Sequence, residues 1–304
     1  MDKTKWKELI KEQVWIYEKG ENTRFTVLLM AGIHPEEEAG VFCLHRLLHD
    51  VKWLDDYKDL RVIMVPCRNL YGFNIRRVFR PDGTIIGSQI FEDLYCRIMK
   101  CNDEYLIFLK KVMLMESNRI IFWKRVENAL RVAKVKGFVH LLSYRKNADL
   151  RANTYFFSEK KIHDVNVIGK YPKASFLCDV QAIVDNYKPN LVIDLHEGKG
   201  NCSYVYVDSQ DERTIEMGKY IIEYFNAQNI PIRRQAADRI KIGDAVYALD
   251  YLESGKRLID IVQGGKVIVL ETGIERNLES RIKVLRGAVE QCMLFEWNQI
   301  KKYI

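Results

Sequence analysis

The chain has no apolar run approaching the roughly 18 uninterrupted residues of a membrane span. Its start, MDKTKWKELIKEQVWIYEKG, alternates charge with bulky apolar residues and lacks the apolar core of a secretion signal. None of the seven cysteines (Cys43, Cys67, Cys96, Cys101, Cys178, Cys202, Cys292) forms a Cys-x-x-Cys pair, and the number is odd. That argues against a disulfide framework or a structural zinc knuckle, and for buried free thiols in a reducing compartment. Proline is scarce, with 6 residues, and there is no linker, repeat or low-complexity tract. The expectation is one domain over 1–304, soluble and cytoplasmic, with no membrane partner.

What is present is apolar material: 304 residues, 48% of them hydrophobic, enough for a packed core and too many for a largely disordered chain. Charge is mild, 48 Lys+Arg against 41 Asp+Glu, with both signs interspersed. No nucleic-acid partner is expected from a net +7 of that kind. Histidine is rare, so each of the six can be weighed singly.

Residues 3–12 read as a short helix, and 13–18 and 24–30 as strands joined at the turn cluster Lys19-Gly20-Glu21-Asn22. TVLLMAG runs into GIHPEEEAG, and an amphipathic helix follows to about His49. LRVIMVP (60–66), LVIDL (191–195) and VIVL (267–270) are apolar throughout, as strands buried on both faces are, and SYVYV (203–207) is a fourth candidate. Helical patterns at 174–187, 210–228 and 276–301 alternate with them. The fold class expected is α/β, with a mixed, mostly parallel central sheet flanked by helices. Residues 88–136 carry helical periodicity, which predicts a helical insertion at about 86–140, and 276–301 predicts a closing helix.

Four polar residues stand where buried strands stop. His34 follows TVLLMAG with Glu37 three residues on, His196 follows LVIDL, and Glu271 follows VIVL. In open α/β sheets ligand sites gather at the carboxyl ends of strands. Two imidazoles and a carboxylate (His34, Glu37, His196) make a catalytic zinc set with a position left for water. Zinc there would acidify the water and polarise a carbonyl, and Glu271 could take the proton and pass it to a leaving amine. Each signal alone is weak, since a lone histidine after a strand is more often structural. Asp194, two residues before His196 on one strand face, is either a second acceptor for a ligand imidazole or an arginine partner.

In order and spacing the segments AGIHPEEEAG, LVIDLHEG and VIVLETG resemble the zinc carboxypeptidase superfamily, including its succinylglutamate desuccinylase/aspartoacylase branch. The likeness covers roughly residues 24–275. It implies a phosphorylase/hydrolase-like architecture, one Zn2+ held by His34, Glu37 and His196, and Glu271 as general base. VPCRNLYGFN (65–74) is similar to the superfamily's segment after a central strand, which would aim Arg68 and Asn69 at the cleft. ADLRANTYF (148–156) resembles, in altered order, the segment that grips a substrate carboxylate, which implicates Arg151 and Asn153. A surface salt bridge is the plain alternative for either arginine. Tyr247 and Tyr251 lie where the superfamily places a mobile, substrate-contacting tyrosine, and a core or surface role is the alternative. Only about 33 residues follow Glu271, which departs from the aspartoacylase branch and its added β-rich domain.

Other features carry less. His45 and His49 are four apart, but Arg46 stands where a metalloprotease helix has glutamate, so they read as a solvated face. His140 and His163 have no acidic or cysteine partner at ligand spacing. Arg76, Arg77, Arg80, Arg233 and Arg234 read as solvated faces, with a cleft rim as the alternative. The reading is a zinc-dependent hydrolase that cleaves an amide bond beside a free carboxylate, with a peptide C-terminus or a small carboxylate-bearing compound as partner. The alternative is a non-catalytic binding protein for an acidic peptide or metabolite on the same fold. Oligomeric state is not legible.

Overall fold

The structure, a computed structural model, describes residues 6–10, 13–21, 23–70, 73, 104–109, 137–144, 150–158, 161–174, 177–198, 200–235 and 239–302. The strands, in chain order, are β1 (Trp6–Ile10), β2 (Val14–Lys19), β3 (Phe25–Ala31), β4 (Leu60–Val65), β5 (Glu104–Leu109), β6 (Gly137–Tyr144) and β7 (Leu150–Phe157). They continue as β8 (Ile162–Asp164), β9 (Leu191–Gly198), β10 (Tyr204–Val207), β11 (Lys241–Gly243), β12 (Val246–Ala248) and β13 (Lys266–Gly273). The helices are α1 (Glu38–His49), α2 (Val180–Tyr187), α3 (Glu212–Ala227), α4 (Glu253–Val262) and α5 (Leu278–Lys301).

The chain divides into two compact units. The first holds residues 1–33, 37–68 and 173–304, and the second holds 34–36 and 69–172. The first contains a nine-stranded sheet in the order β1-β2-β4-β3-β9-β13-β10-β12-β11. Its centre, β4-β3-β9-β13, is parallel, and β13 passes to β10 antiparallel. All seven side chains of β3 are buried, as are the first seven of β9, which is why both segments read as unbroken apolar runs. The mixed sheet with flanking helices is the fold class the sequence predicts.

The second unit has its own sheet, β5-β6-β7-β8. Of the helical insertion predicted at about 86–140, Glu104–Leu109 and the segment from Gly137 are strands, which corrects the prediction there, and the other residues of that span lie outside those described. EYLIFL and GFVHLL are rich in β-branched and aromatic residues, and pairing between the two strands overrides a periodicity that a short apolar run cannot settle. The helix predicted at 3–12 is likewise β1, an edge strand paired with β2.

Sequence also explains where helices begin. Asp179, Asp211 and Asn277 each accept a backbone N–H of the first turn, capping α2, α3 and α5. Helix α1 approaches the sheet so closely that a Cβ on Gly40 would lie 3.0 Å from the Cβ atoms of Ala31 and Leu195. A Cβ on Gly218 of α3 would lie 2.9 Å from Val207 and 3.5 Å from Val205, and α5 packs on α1 and α3. These helices therefore cover the Ala31, Leu195 and Val205 face. Alternation puts His196, Glu271 and Tyr204 on the opposite face. Five cysteines are free among the described residues, and burial pushes the Cys43 and Cys178 thiols up to about 12, leaving them inert at neutral pH.

Beneath α5, the buried Glu296 carboxylate meets Arg213 at 2.9 Å and Lys266 at 3.6 Å. Burial raises its pKa above the ordinary 4.5, although Lys266 and Arg213 pull it down. Folding therefore takes up a proton above pH 4.5: the group's contribution is full below that value and is lost as pH rises through the folded one. Glu296→Gln removes that slope. In urea denaturation its stability relative to wild type should improve as the pH rises above 4.5. A deficit that instead grew with pH would mean that the ion pairs outweigh burial.

Candidate metal centre

Strand β3 ends at Ala31, and the turn 32–37 that carries His34 and Glu37 leads directly into α1. Strands β9 and β13 run parallel with His196 opposite Glu271, so both side chains leave the sheet side by side on one face. One ligand atom each from His34, Glu37 and His196 lies within 4.8 Å of the other two. The predicted metal set is therefore brought together.

Around it the contacts are short. His196 Nδ1 is 2.8 Å from Glu37 Oε2, and its Nε2 is 3.3 Å from Asp194 Oδ2. Asp194 Oδ2 also accepts from Arg68 Nη1 at 3.2 Å, so both readings of Asp194 hold at once. An Nε2–H donated to Asp194 leaves Nδ1, beside Glu37, as the ligand atom. Burial disfavours an imidazolium, yet the Glu37 and Asp194 carboxylates raise the His196 pKa well above its usual range. The arrangement attracts a cation, and a metal at Nδ1 would take the place of that proton. Two imidazoles, a carboxylate and a second carboxylate behind one imidazole fit zinc in donor chemistry and number.

A second layer holds the ligand-bearing segments. Glu197, next to His196, accepts from the backbone N–H of Ala39 at 2.9 Å and pairs with Arg281 of α5. Arg281 also lies 3.9 Å from Glu38, the neighbour of Glu37. Burial pushes the Glu197 carboxyl up to about 7 against the pull of Arg281.

The remaining predicted residues fare differently. Arg68 is 2% exposed and donates from Nη1 to Asp194 at 3.2 Å. Asn69 is fully buried, and its amide donates to Thr154 of β7 at 2.8 Å, tying its segment to that strand. Arg151 and Asn153 lie on the backbone of β7, their side chains outside the described residues. Tyr247 is 0% exposed and its hydroxyl donates to the Arg233 carbonyl at 2.7 Å, a supporting position in place of a mobile one. Tyr251 is exposed, His45 and His49 are exposed on α1, and Arg76, Arg77 and Arg80 lie outside the described residues.

Sequence reasoning missed Tyr204, Tyr206 and Arg239. The hydroxyls of Tyr204 and Tyr206 are raised by burial and then by the nearby Glu271 charge, Tyr206 to about 12. The alternation Tyr-Val-Tyr-Val was the available signal, because period two puts both rings on one face.

Neither the family models nor the curated proteins compared match this sequence. Solved structures do match in shape. A Shewanella denitrificans protein provisionally called a carboxypeptidase A aligns at TM-score 0.50 with 10% identity, over 94% of this chain and 61% of that one. A Burkholderia cenocepacia metallo-carboxypeptidase aligns at 0.48 with 13% identity, over 96% and 61%. A Shewanella amazonensis protein provisionally called a metallopeptidase aligns at 0.48 with 14% identity, over 92% and 80%. The chain has a carboxypeptidase-like fold.

Proposed function

We propose that this chain is a zinc-dependent hydrolase that cleaves an amide bond next to a free carboxylate, in a peptide C-terminus or an N-acyl amino acid. The observation that carries this reading is the convergence of His34, Glu37 and His196, with Glu271 on the strand beside His196. When bound, zinc would polarise the scissile carbonyl and lower the pKa of a water held next to it. Glu271 removes the proton from the attacking water and returns it to the departing amine. Asp194 fixes the His196 tautomer, and Arg68 holds Asp194. Arg151 and Asn153 stay as the sequence-based candidates for the substrate carboxylate, a task that a guanidinium fork suits.

The free thiols fit a cytoplasmic setting, and no helix among the described residues is long and apolar enough to cross a membrane. Elemental analysis of the purified chain tests the centre. We expect about one zinc per chain in wild type, and less than about a tenth of that in His196→Ala, which loses one of three protein ligands. Wild type below about half an equivalent, unrestored by added zinc, would sink the reading.

A further inference from the structure

The strands that carry His196 and Glu271 both end in glycine. Gly198 and Gly273 stand two residues beyond them and face each other across β9 and β13. Alternation puts both on the face of His196 and Glu271. Each glycine makes room for a particular neighbour. A Cβ on Gly273 would lie 2.6 Å from Cys202 N, so the backbone running from β9 to β10 crosses directly over it. A Cβ on Gly198 would lie 2.8 Å from Cε1 of Tyr204 and would overlap its hydroxyl. Tyr204 belongs to β10, and β13 lies between β10 and β9. Its side chain therefore spans β13, starting level with its register partner Glu271 and ending on Gly198.

Neighbours on several sides fix that ring. Tyr247 meets it edge-on, with centroids 5.7 Å apart and planes at 89°, and Tyr206 does so at 5.5 Å and 76°. The Arg233 guanidinium lies 5.4 Å from its centroid, over the ring. Arg233 is itself held by its backbone, N–H to Ser203 O at 3.0 Å and carbonyl to the Tyr247 hydroxyl at 2.7 Å. Arg239 stacks on Tyr206 and donates from Nε to its hydroxyl. Tyr204 as a whole is 4% exposed. A side chain packed so closely is confined to one rotamer. Glu271 beside it is half-buried, and a carboxylate on three rotatable bonds needs a wall to hold it in one direction.

We propose that Tyr204 is a positioning residue for Glu271: its ring fills the space over Gly198 and keeps the Glu271 carboxylate turned toward His196. The wall is the aromatic ring, and the hydroxyl only marks its far end. This deepens the hydrolase reading and rests on it for what Glu271 does, while the arrangement of ring, glycine and carboxylate stands without any metal. Position matters because a general base must meet its proton at hydrogen-bond distance, and a displacement of about 1 Å can cost about a hundredfold in rate. The same arrangement accounts for glycine at 198, since any side chain there would displace the ring.

Gly198→Ala and Tyr204→Leu test the wall from opposite sides, because the first pushes the ring away and the second removes it. Crystal structures of the metal-free full chain, wild type and both variants, read the Glu271 carboxylate directly. It should hold one rotamer in wild type and move by about 1 Å or more in each variant. On a working amide substrate kcat should fall about a hundredfold in each, with KM within about threefold and zinc still near one per chain. Tyr204→Phe keeps the ring and should restore most of the turnover that Tyr204→Leu loses. The double variant should be no worse than the poorer single one, since the added methyl enters space the ring has left. If Tyr204→Leu fails to fold, Gly198→Ala alone carries the comparison. An unmoved Glu271, losses that multiply in the double variant, or zinc lost in step with turnover overturns the positioning role. Displacement of Glu271 in a chain that hydrolyses no amide supports the positioning and overturns the hydrolase. Hydrolysis with Glu271 unmoved in both variants does the reverse.

Discussion

Glu271→Gln should lower turnover of an amide substrate by about a thousandfold or more while leaving zinc at one per chain. Glu271 is not among the three converging ligand residues, yet it stands opposite His196 across a parallel strand pair. Glutamine keeps the size and one oxygen but cannot accept the water's proton, so the loss falls on the chemical step. Turnover should drop far more than KM rises, since the amide still offers a similar surface to the bound substrate. Two results would redirect the assignment. Near-full activity on a working substrate would mean another group serves as base. Loss of zinc with activity would make Glu271 a ligand. Parallel measurement of metal content and of kcat separates the two cases.

Much of the first unit was legible because its physics is local in sequence. A strand buried on both faces has to be apolar along its length, and β3, β4, β9 and β13 announced themselves in that way. Polar residues where such strands stop then stood out, and His34, Glu37, His196 and Glu271 could be grouped before any geometry was known. Short strands gave no such signal. In Glu104–Leu109 and Gly137–Tyr144, helix and strand periods cannot be told apart over so few residues, and pairing between distant segments decided the outcome. The surroundings of the site were harder still. Nothing local showed that Arg68 would be spent on Asp194, or that Tyr247 would be buried under the Arg233 carbonyl. Arg233 itself reads as a solvated residue, because the ring it lies on is 29 positions away in the chain.

Arg281→Met should cost about 3–5 kcal/mol of stability, the range expected when one partner leaves a buried ion pair and strands the other. Arg281 is 7% exposed, and it meets Glu197, whose side chain is fully buried, and Glu38 at 3.9 Å. In sequence it was a charge in the apolar stripe of α5, one turn before Leu285. Its partners explain that position. Glu197 follows His196 and grips the N–H of Ala39, while Glu38 follows Glu37, so one guanidinium ties the end of β9 to the start of α1. Those are the two segments that bear His196 and Glu37. Burial of both charges also means that the pair itself need not be a net gain, because desolvation offsets most of its attraction. The double variant Arg281→Met with Glu197→Met should therefore recover most of the stability lost by the single one. Zinc affinity should not return with it, since neither methionine can hold the Ala39 N–H or orient the neighbouring ligands. Urea denaturation and zinc titration on the single and double variants measure the two effects separately. A single-variant cost below about 1 kcal/mol would show that Arg281 does not hold these segments. Recovery of zinc affinity together with stability would show that it acts on the fold alone.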